Sequence, residues 1–256
     1  MFTTFLAQAY YAYPAAAQES ALAPSDAQML GLLLIVLCAL LSFIVHTKMQ
    51  SAMKQYGATP APLTGAQTAE LMLAANGLRD VRITCTPGKL TDHYNPLDRT
   101  VNLSESVYHE ASVASMAVAA HECGHAVQHA HAYPWLGLRS AMVPMVNIGT
   151  RLGQIVLFVG LIMLAATHDP TVAWLGLILF GSATIFAFVT LPVEFDASRR
   201  ALAWLGSSDY TNRAMRGQAA SALRWAAMTY VAAALSSLAM LAYYALLILS
   251  RSSRRD

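Results

Sequence analysis

Two histidines and a glutamate in the stretch Ala120-His121-Glu122-Cys123-Gly124-His125-Ala126-Val127-Gln128 have the types and spacing to do chemistry. His121 and His125 are four residues apart, so on a helix they stand on one face, about one turn from each other. Both imidazoles can then reach one metal ion. Glu122 follows the first histidine, where a carboxylate can hold a water beside that ion and take its proton. H-E-x-x-H is a zinc-binding spacing of hydrolytic sites. From Ala111 to Val127 the other residues are almost all Ala, Val, Ser, Met and Gly. A His-Glu-His cluster in so apolar a helix is costly to bury without a partner. Zinc ligation is therefore favoured over a cluster satisfied only by neighbouring side chains.

A catalytic zinc site needs three protein ligands and one open position. Three residues compete for the third place. His129 lies four beyond His125, but three ligands on consecutive turns of one straight helix do not converge on a tetrahedral ion. His131 lies ten after His121, a spacing that needs a glycine to turn the chain back, and Gln128 stands there instead. Glu194 follows an apolar run, just after Pro192. A lone acid at a membrane border is costly unless it has a partner. Ligation is the favoured reading of Glu194, and pairing with Arg199 or Arg200 is the competing one. Cys123 points away from the histidine face and is given little weight as a ligand.

The elements that must position these residues are mostly apolar. Of 256 residues, 56% are hydrophobic and 12% charged; a soluble chain carries about twice that charge. The apolar residues come in long runs, which predicts a mainly α, multi-pass membrane protein with about four transmembrane helices and a small α+β cytoplasmic domain. Residues 1–28 read as an exported tail rather than a cleaved signal, although Ala15-Ala16-Ala17 mimics a cleavage site. Residues 29–46 are the first span, with an amphipathic continuation from Met49 to Tyr56. Residues 47–140 form the catalytic domain. Residues 141–191 hold the second and third spans, joined by a turn at Thr167-His168-Asp169-Pro170. Residues 192–224 are a cytoplasmic segment carrying Glu194, with Pro192 kinking or ending the third span. Residues 225–250 are the fourth span, and 251–256 a basic tail. Asn147 and Arg151 interrupt the second span and mark either helix packing or a water-filled cleft.

Within the domain, Thr64-x-x-Gln67 is a capping box opening a short helix closed by Asn76-Gly77. Val81 to Cys85 alternates as a strand, Thr91 to Pro96 is a polar loop, and Thr100 to Leu103 is a second strand that pairs with the first as a short β-hairpin. This second strand is also a candidate edge for an extended substrate. Ser104 caps the helical stretch that runs to His131.

The segments between spans one and two and between spans three and four carry most of the lysines and arginines, whereas the 167–170 turn has none. The positive-inside rule puts both long segments in the cytoplasm and the N-terminal tail outside. Arg251, Arg254 and Arg255 oppose this for four spans, and a re-entrant last segment would remove the conflict. Three cysteines without C-x-x-C make no framework, and Cys85 reads as a free thiol in a reducing compartment. A net charge of +2, with scattered basic residues, gives no sign of nucleic-acid binding. No G-x-x-x-x-G-K-[ST] phosphate loop is present.

His121-Glu122-x-x-His125 with a distal Glu194-Phe195-Asp196-Ala197-Ser198 looks like a gluzincin, and is similar in pattern to the HtpX group of membrane proteases. The wider context resembles more closely the YugP-type neutral zinc metallopeptidases of bacterial membranes. The matching stretches are Gly88 to Pro96, Ala119 to Gln128 and Thr190 to Leu202, and the likeness runs from about Met29 to Leu205. The resemblance implies a zincin-like domain with one Zn2+ per chain, ligands His121, His125 and Glu194, and Glu122 as base. It implies an endopeptidase in a bacterial-type plasma membrane, with its site on the cytoplasmic side. Expected partners are polypeptide substrates, membrane-associated or misfolded, and the lipid bilayer; oligomeric state is open. One departure stands out: Ser198 replaces the Asp that supports a ligand histidine in the HtpX pattern, and Asp196 is a possible substitute. His93, Tyr94, Arg199 and Tyr210 are candidate oxyanion stabilisers. The competing functions are an inactive membrane protein with a structural or sensory zinc site, an intramembrane protease with a distal aspartate ligand inside a span, and a transporter. The spans lack that aspartate, and the ionisable residues cluster at span ends, which disfavours the last two.

Overall fold

The computed structural model describes residues 26–252. The expected tail up to residue 25 and the arginines at 254 and 255 lie outside them. Four helices are long and apolar enough to cross a bilayer: α1 (Asp26–Gly57), α5 (Pro134–Thr167), α6 (Thr171–Ser207) and α7 (Arg213–Ser252). All four run past the ~30 Å hydrocarbon core at 1.5 Å per residue. They pack in a row, α5 on α6, α6 on α7, α7 on α1. Because α7 is one unbroken helix, the re-entrant form of the last span is excluded.

Small side chains and a few hydroxyl pairs join the row, as expected where lipid removes the hydrophobic drive between helices. A Cβ on Gly160 would collide with the Ala173 backbone, and one on Gly176 with the Leu157 backbone, so α5 and α6 touch along their main chains. Thr184 and Ser237 hydroxyls lie 2.6 Å apart between α6 and α7, and Ser42 and Ser236 lie 3.2 Å apart between α1 and α7.

The domain between α1 and α5 starts with α2 (Gly65–Ala75). Its capping box forms as expected: the Gln67 amide donates to Thr64 Oγ1 (3.2 Å) and the Thr64 amide to Gln67 Oε1 (2.9 Å). Three strands follow, β1 (Arg82–Thr86), β2 (His93–Asn95) and β3 (Thr100–Ser104), in the order β1-β3-β2. This corrects the expected hairpin. β1 does pair with β3, with Ile83 opposite Val101, but in parallel. The antiparallel partner of β3 is β2, which the sequence disguises as a polar loop. Three residues are too few to show alternation, and as an edge strand β2 buries little apolar surface.

The helical stretch after β3 divides into α3 (Glu105–His109) and α4 (Val113–Ala130). The break is made by the linker at 59–61: the Ala61 amide donates to Ala111 O and the Val113 amide to Thr59 O, both at 3.0 Å. Ser112 restarts the helix by accepting from the Ser115 amide at 3.1 Å. Ser104 precedes α3, but its hydroxyl turns to Asp92 Oδ1 at 3.0 Å. A buried core of Met72, Leu103, Met116, Leu205 and Leu223 ties α2, β3 and α4 to the lower ends of α6 and α7.

Pro192 neither ends nor interrupts α6, which continues to Ser207. A proline removes one intrahelical bond, here the one to Phe188 O, but side chains from α4 and its C-terminal flank hold the helix on either side of it. Here Gln128 Nε2 donates to Val193 O (2.8 Å) and the Tyr133 hydroxyl to Pro192 O (3.5 Å). As a result Glu194, Asp196 and Ser198 ride on the same helix as the third span.

Candidate metal centre

α4 carries both histidines of the H-E-x-x-H stretch, and the lower part of α6 packs directly against it. Gly124 sets their separation. A Cβ there would lie 2.5 Å from Ala197 O, a backbone atom that cannot swing away. Ala197 is fully buried on the other side of this contact. A glycine between the histidines therefore lets α4 approach close enough for a side chain of α6 to meet them.

That side chain is Glu194, 2% exposed. Its Oε2 lies 3.2 Å from His121 Nε2 and 3.7 Å from His125 Nε2. Ligand atoms of His121, His125 and Glu194 all fall within 4.8 Å of one another, and this is the group among the described residues that could hold a metal ion. The donor set fits zinc: two imidazole nitrogens and one carboxylate oxygen converge, and the open mouth beside them leaves room for a fourth ligand. The other two contenders turn elsewhere. His129 Nδ1 meets the Tyr94 hydroxyl at 2.8 Å, and His131 lies in a separate groove beside Arg200. Cys123 Sγ donates to Ala69 O, and burial pushes its thiol well above the ordinary range, so it stays protonated.

Each candidate ligand has a partner behind it, the usual means of fixing a tautomer and ring orientation. Ser198 Oγ lies 3.1 Å from His121 Nδ1, so a hydroxyl stands where the resembling group has a carboxylate. Asp196 does not reach that histidine. Instead its Oδ2 accepts from Gln128 Nε2 (2.9 Å), and Gln128 Oε1 lies 3.0 Å from His125 Nδ1. Arg199 and Arg200 both pair with Asp196, not with Glu194. Glu194 Oε1 is taken by Arg139 Nη1 at 3.3 Å, which turns Oε2 toward the histidines. Burial opposes charge on His125, but the Glu194 carboxylate and the charge of Glu122 outweigh it and raise its pKa.

Glu122 is buried among these groups and lines two cavities that meet at the centre. One, about 430 Å³, is walled by Met49 and Met53 of α1, Val107 of α3 and Leu223 of α7. The other, about 520 Å³, lies between β2 and α5 and is walled by His93, Tyr94, Leu136 and Pro144. Asp92, His121, Glu194 and Tyr230 face both. Arg199 and Tyr210 face neither. β3 is the central strand and has no free edge; the edge beside the site belongs to β2.

Gln128, Arg139 and Tyr230 escape a reading by motif. Gln128 had a signal, since three residues after His125 is the same helix face. So did Arg139. Gly160 touches Ala173 across the α5–α6 turn; twenty-one residues back from the first is Arg139, and twenty-one on from the second is Glu194. Nothing local marks Tyr230, which reaches the site only because α7 packs against α6.

The fold sets four membrane-capable helices beside a largely buried His-His-Glu set that could hold a metal ion. Residues 31–249 match the family described as "Putative neutral zinc metallopeptidase", and the chain belongs to that family. It is also 39% identical over 224 residues to the "Putative membrane protease YugP" of Bacillus subtilis (strain 168), covering 87% of this chain and 98% of that protein. The chain has no significant match among solved structures.

Proposed function

We propose that this chain is a gluzincin-type zinc endopeptidase that cleaves membrane-associated or misfolded polypeptides, with protein quality control as its role. The observation that carries the reading is the convergence of His121, His125 and buried Glu194, with Glu122 beside them at the junction of two cavities. His121, His125 and Glu194 would hold one zinc ion per chain. When bound, zinc supplies a Lewis acid that polarises the scissile carbonyl and acidifies a water. Glu122 takes the proton from that water and delivers it to the leaving amine. Ser198 and Gln128 orient the histidines, and Arg139 orients Glu194. Of the three aromatic groups facing the cleft, Tyr230 is the candidate to donate to an oxyanion, since His93 Nδ1 donates to Thr91 O and the Tyr94 hydroxyl is held by His129. An extended substrate adds to the free edge of β2 and crosses from one cavity to the other. The charge pattern supports a cytoplasmic site in a bacterial-type plasma membrane, formed by residues 47–140 and 192–224.

The test is zinc per chain and casein cleavage by the purified protein in detergent. Expected are one zinc in the unaltered protein, little in Glu194→Ala, and full zinc without cleavage in Glu122→Gln. Zinc retained in Glu194→Ala would remove it as ligand. Zinc without cleavage of any substrate by the unaltered protein would favour a structural or sensory site.

A further inference from the structure

The face of α5 turned away from α6 is polar where it should be apolar. Met142, Gly149, Gly153, Leu157 and Gly160 are buried along one side of this helix. On the opposite side Ser140, Pro144, Asn147, Arg151 and Gln154 follow one another at three- and four-residue steps, and all five are exposed. Ser140 and Pro144 line the second cavity of the site, so the stripe begins inside the cleft. It then descends into the span. Gly149 approaches Ser182 and Gly153 approaches Phe180, which sets Arg151 level with the middle of the apolar run 171–191 of α6. Its neighbours Ile148, Leu152 and Ile155 are all more than half exposed, as lipid-facing residues are. Asn147, Arg151 and Gln154 have no side-chain hydrogen bond or ion pair with any described residue. Of the two sequence readings of Asn147 and Arg151, packing within this chain is therefore ruled out among the described residues.

We propose that this stripe docks a transmembrane segment of the substrate, one with an acidic residue in its membrane half, and leads the adjoining chain into the cleft. The inference rests on the peptidase reading and narrows its substrate class to membrane-spanning proteins. Charge decides the occupant. A guanidinium flanked by two carboxamides within hydrocarbon calls for a carboxylate opposite it. A second copy of this chain is the wrong match, because a two-fold axis normal to the membrane would set Arg151 against Arg151 at equal depth. Continuity with the cleft supplies the second argument: a segment lying on α5 delivers its cytoplasmic flank past Pro144 and Ser140 toward β2 and Glu122.

The experiment uses zinc-loaded Glu122→Gln protein in phosphatidylethanolamine–phosphatidylglycerol vesicles. The probe is a fluorescent single-span Leu/Ala peptide with one mid-span Asp, compared with its Leu twin. The Asp peptide should bind about tenfold more tightly than the twin. Combining Asn147→Leu, Arg151→Leu and Gln154→Leu should abolish that difference, while zinc content, and casein cleavage by the same triple variant with Glu122 intact, stay unchanged. Equal binding of the two peptides, a preference that survives the triple substitution, or photo-crosslinks from position 147 to a second copy of the chain would each overturn the proposal. Binding is read without turnover, so a protein that holds zinc but cleaves nothing would count against the peptidase reading alone.

Discussion

The two halves of α6 solve opposite problems with the same device. Its upper half meets α5 within the apolar layer, and its lower half meets α4 in the domain. In both places a glycine removes a Cβ so that backbones can touch: Gly160 and Gly176 above, Gly124 below. Above, closeness is itself the gain, since dispersion is the main force available between helices in lipid. Below, closeness serves chemistry, because it brings a buried carboxylate within reach of two imidazoles. Polar contacts follow the same division. The upper half has one isolated hydroxyl pair among the described residues, Thr184–Ser237, whereas the lower half has a connected set in which Glu194, His121, His125, Ser198, Gln128, Asp196 and Arg139 each have a partner. Small errors in polar contacts should therefore leave the metal centre intact when they fall above and disturb it when they fall below.

Replacing Glu122 by Gln leaves both halves packed and tests the chemistry alone; casein cleavage should fall about 10²–10⁴-fold with zinc content and thermal midpoint unchanged. Gly124→Ala should be the packing change that most disturbs the metal centre. It forces α4 away from Ala197 O, and overpacking of this kind costs about 1–3 kcal/mol. Zinc per chain should fall together with the unfolding midpoint, and a variant with normal zinc would show that the helices can separate without parting the ligands. Next comes Gln128→Leu, which cuts the links to His125, Val193 O and Asp196 at once. Zinc affinity, measured by competition with a chromogenic chelator, should drop about 10–100-fold. Ser198→Ala removes a single hydroxyl behind His121 and should cost about tenfold by the same assay. Smallest is Thr184→Val in the upper half. Loss of one hydroxyl pair between helices in lipid is worth about 0.6 kcal/mol, so unfolding in detergent should barely shift and zinc should be unaffected. A Thr184→Val variant that loses zinc would break the division between the halves.

Several features were legible without coordinates because their signals are local. Helical spacing put His121 and His125 on one face, and the capping box at Thr64 and Gln67 formed as its pattern requires. The long apolar runs became four membrane-capable helices. The signals that misled were also local. Polar, three-residue β2 does not look like a strand, and Pro192 looks like a terminator although bonds from α4 and Tyr133 reach the carbonyls beside it.

From sequence alone came the chemistry on offer, an H-E-x-x-H helix and a distal acid in a membrane protein, because residue type and helical period need no partner to be read. Tertiary structure decided which distant groups complete it. The meeting of Glu194 with the histidines depends on Gly124 fitting against Ala197 O, and the grip of Arg139 on Glu194 depends on the register of the α5–α6 hairpin. The free edge of the sheet passed from β3 to β2 because β2 pairs with the side of β3 that β1 leaves open. These are relations between surfaces far apart in the chain, and distance along the chain carries no information about them until the helices pack.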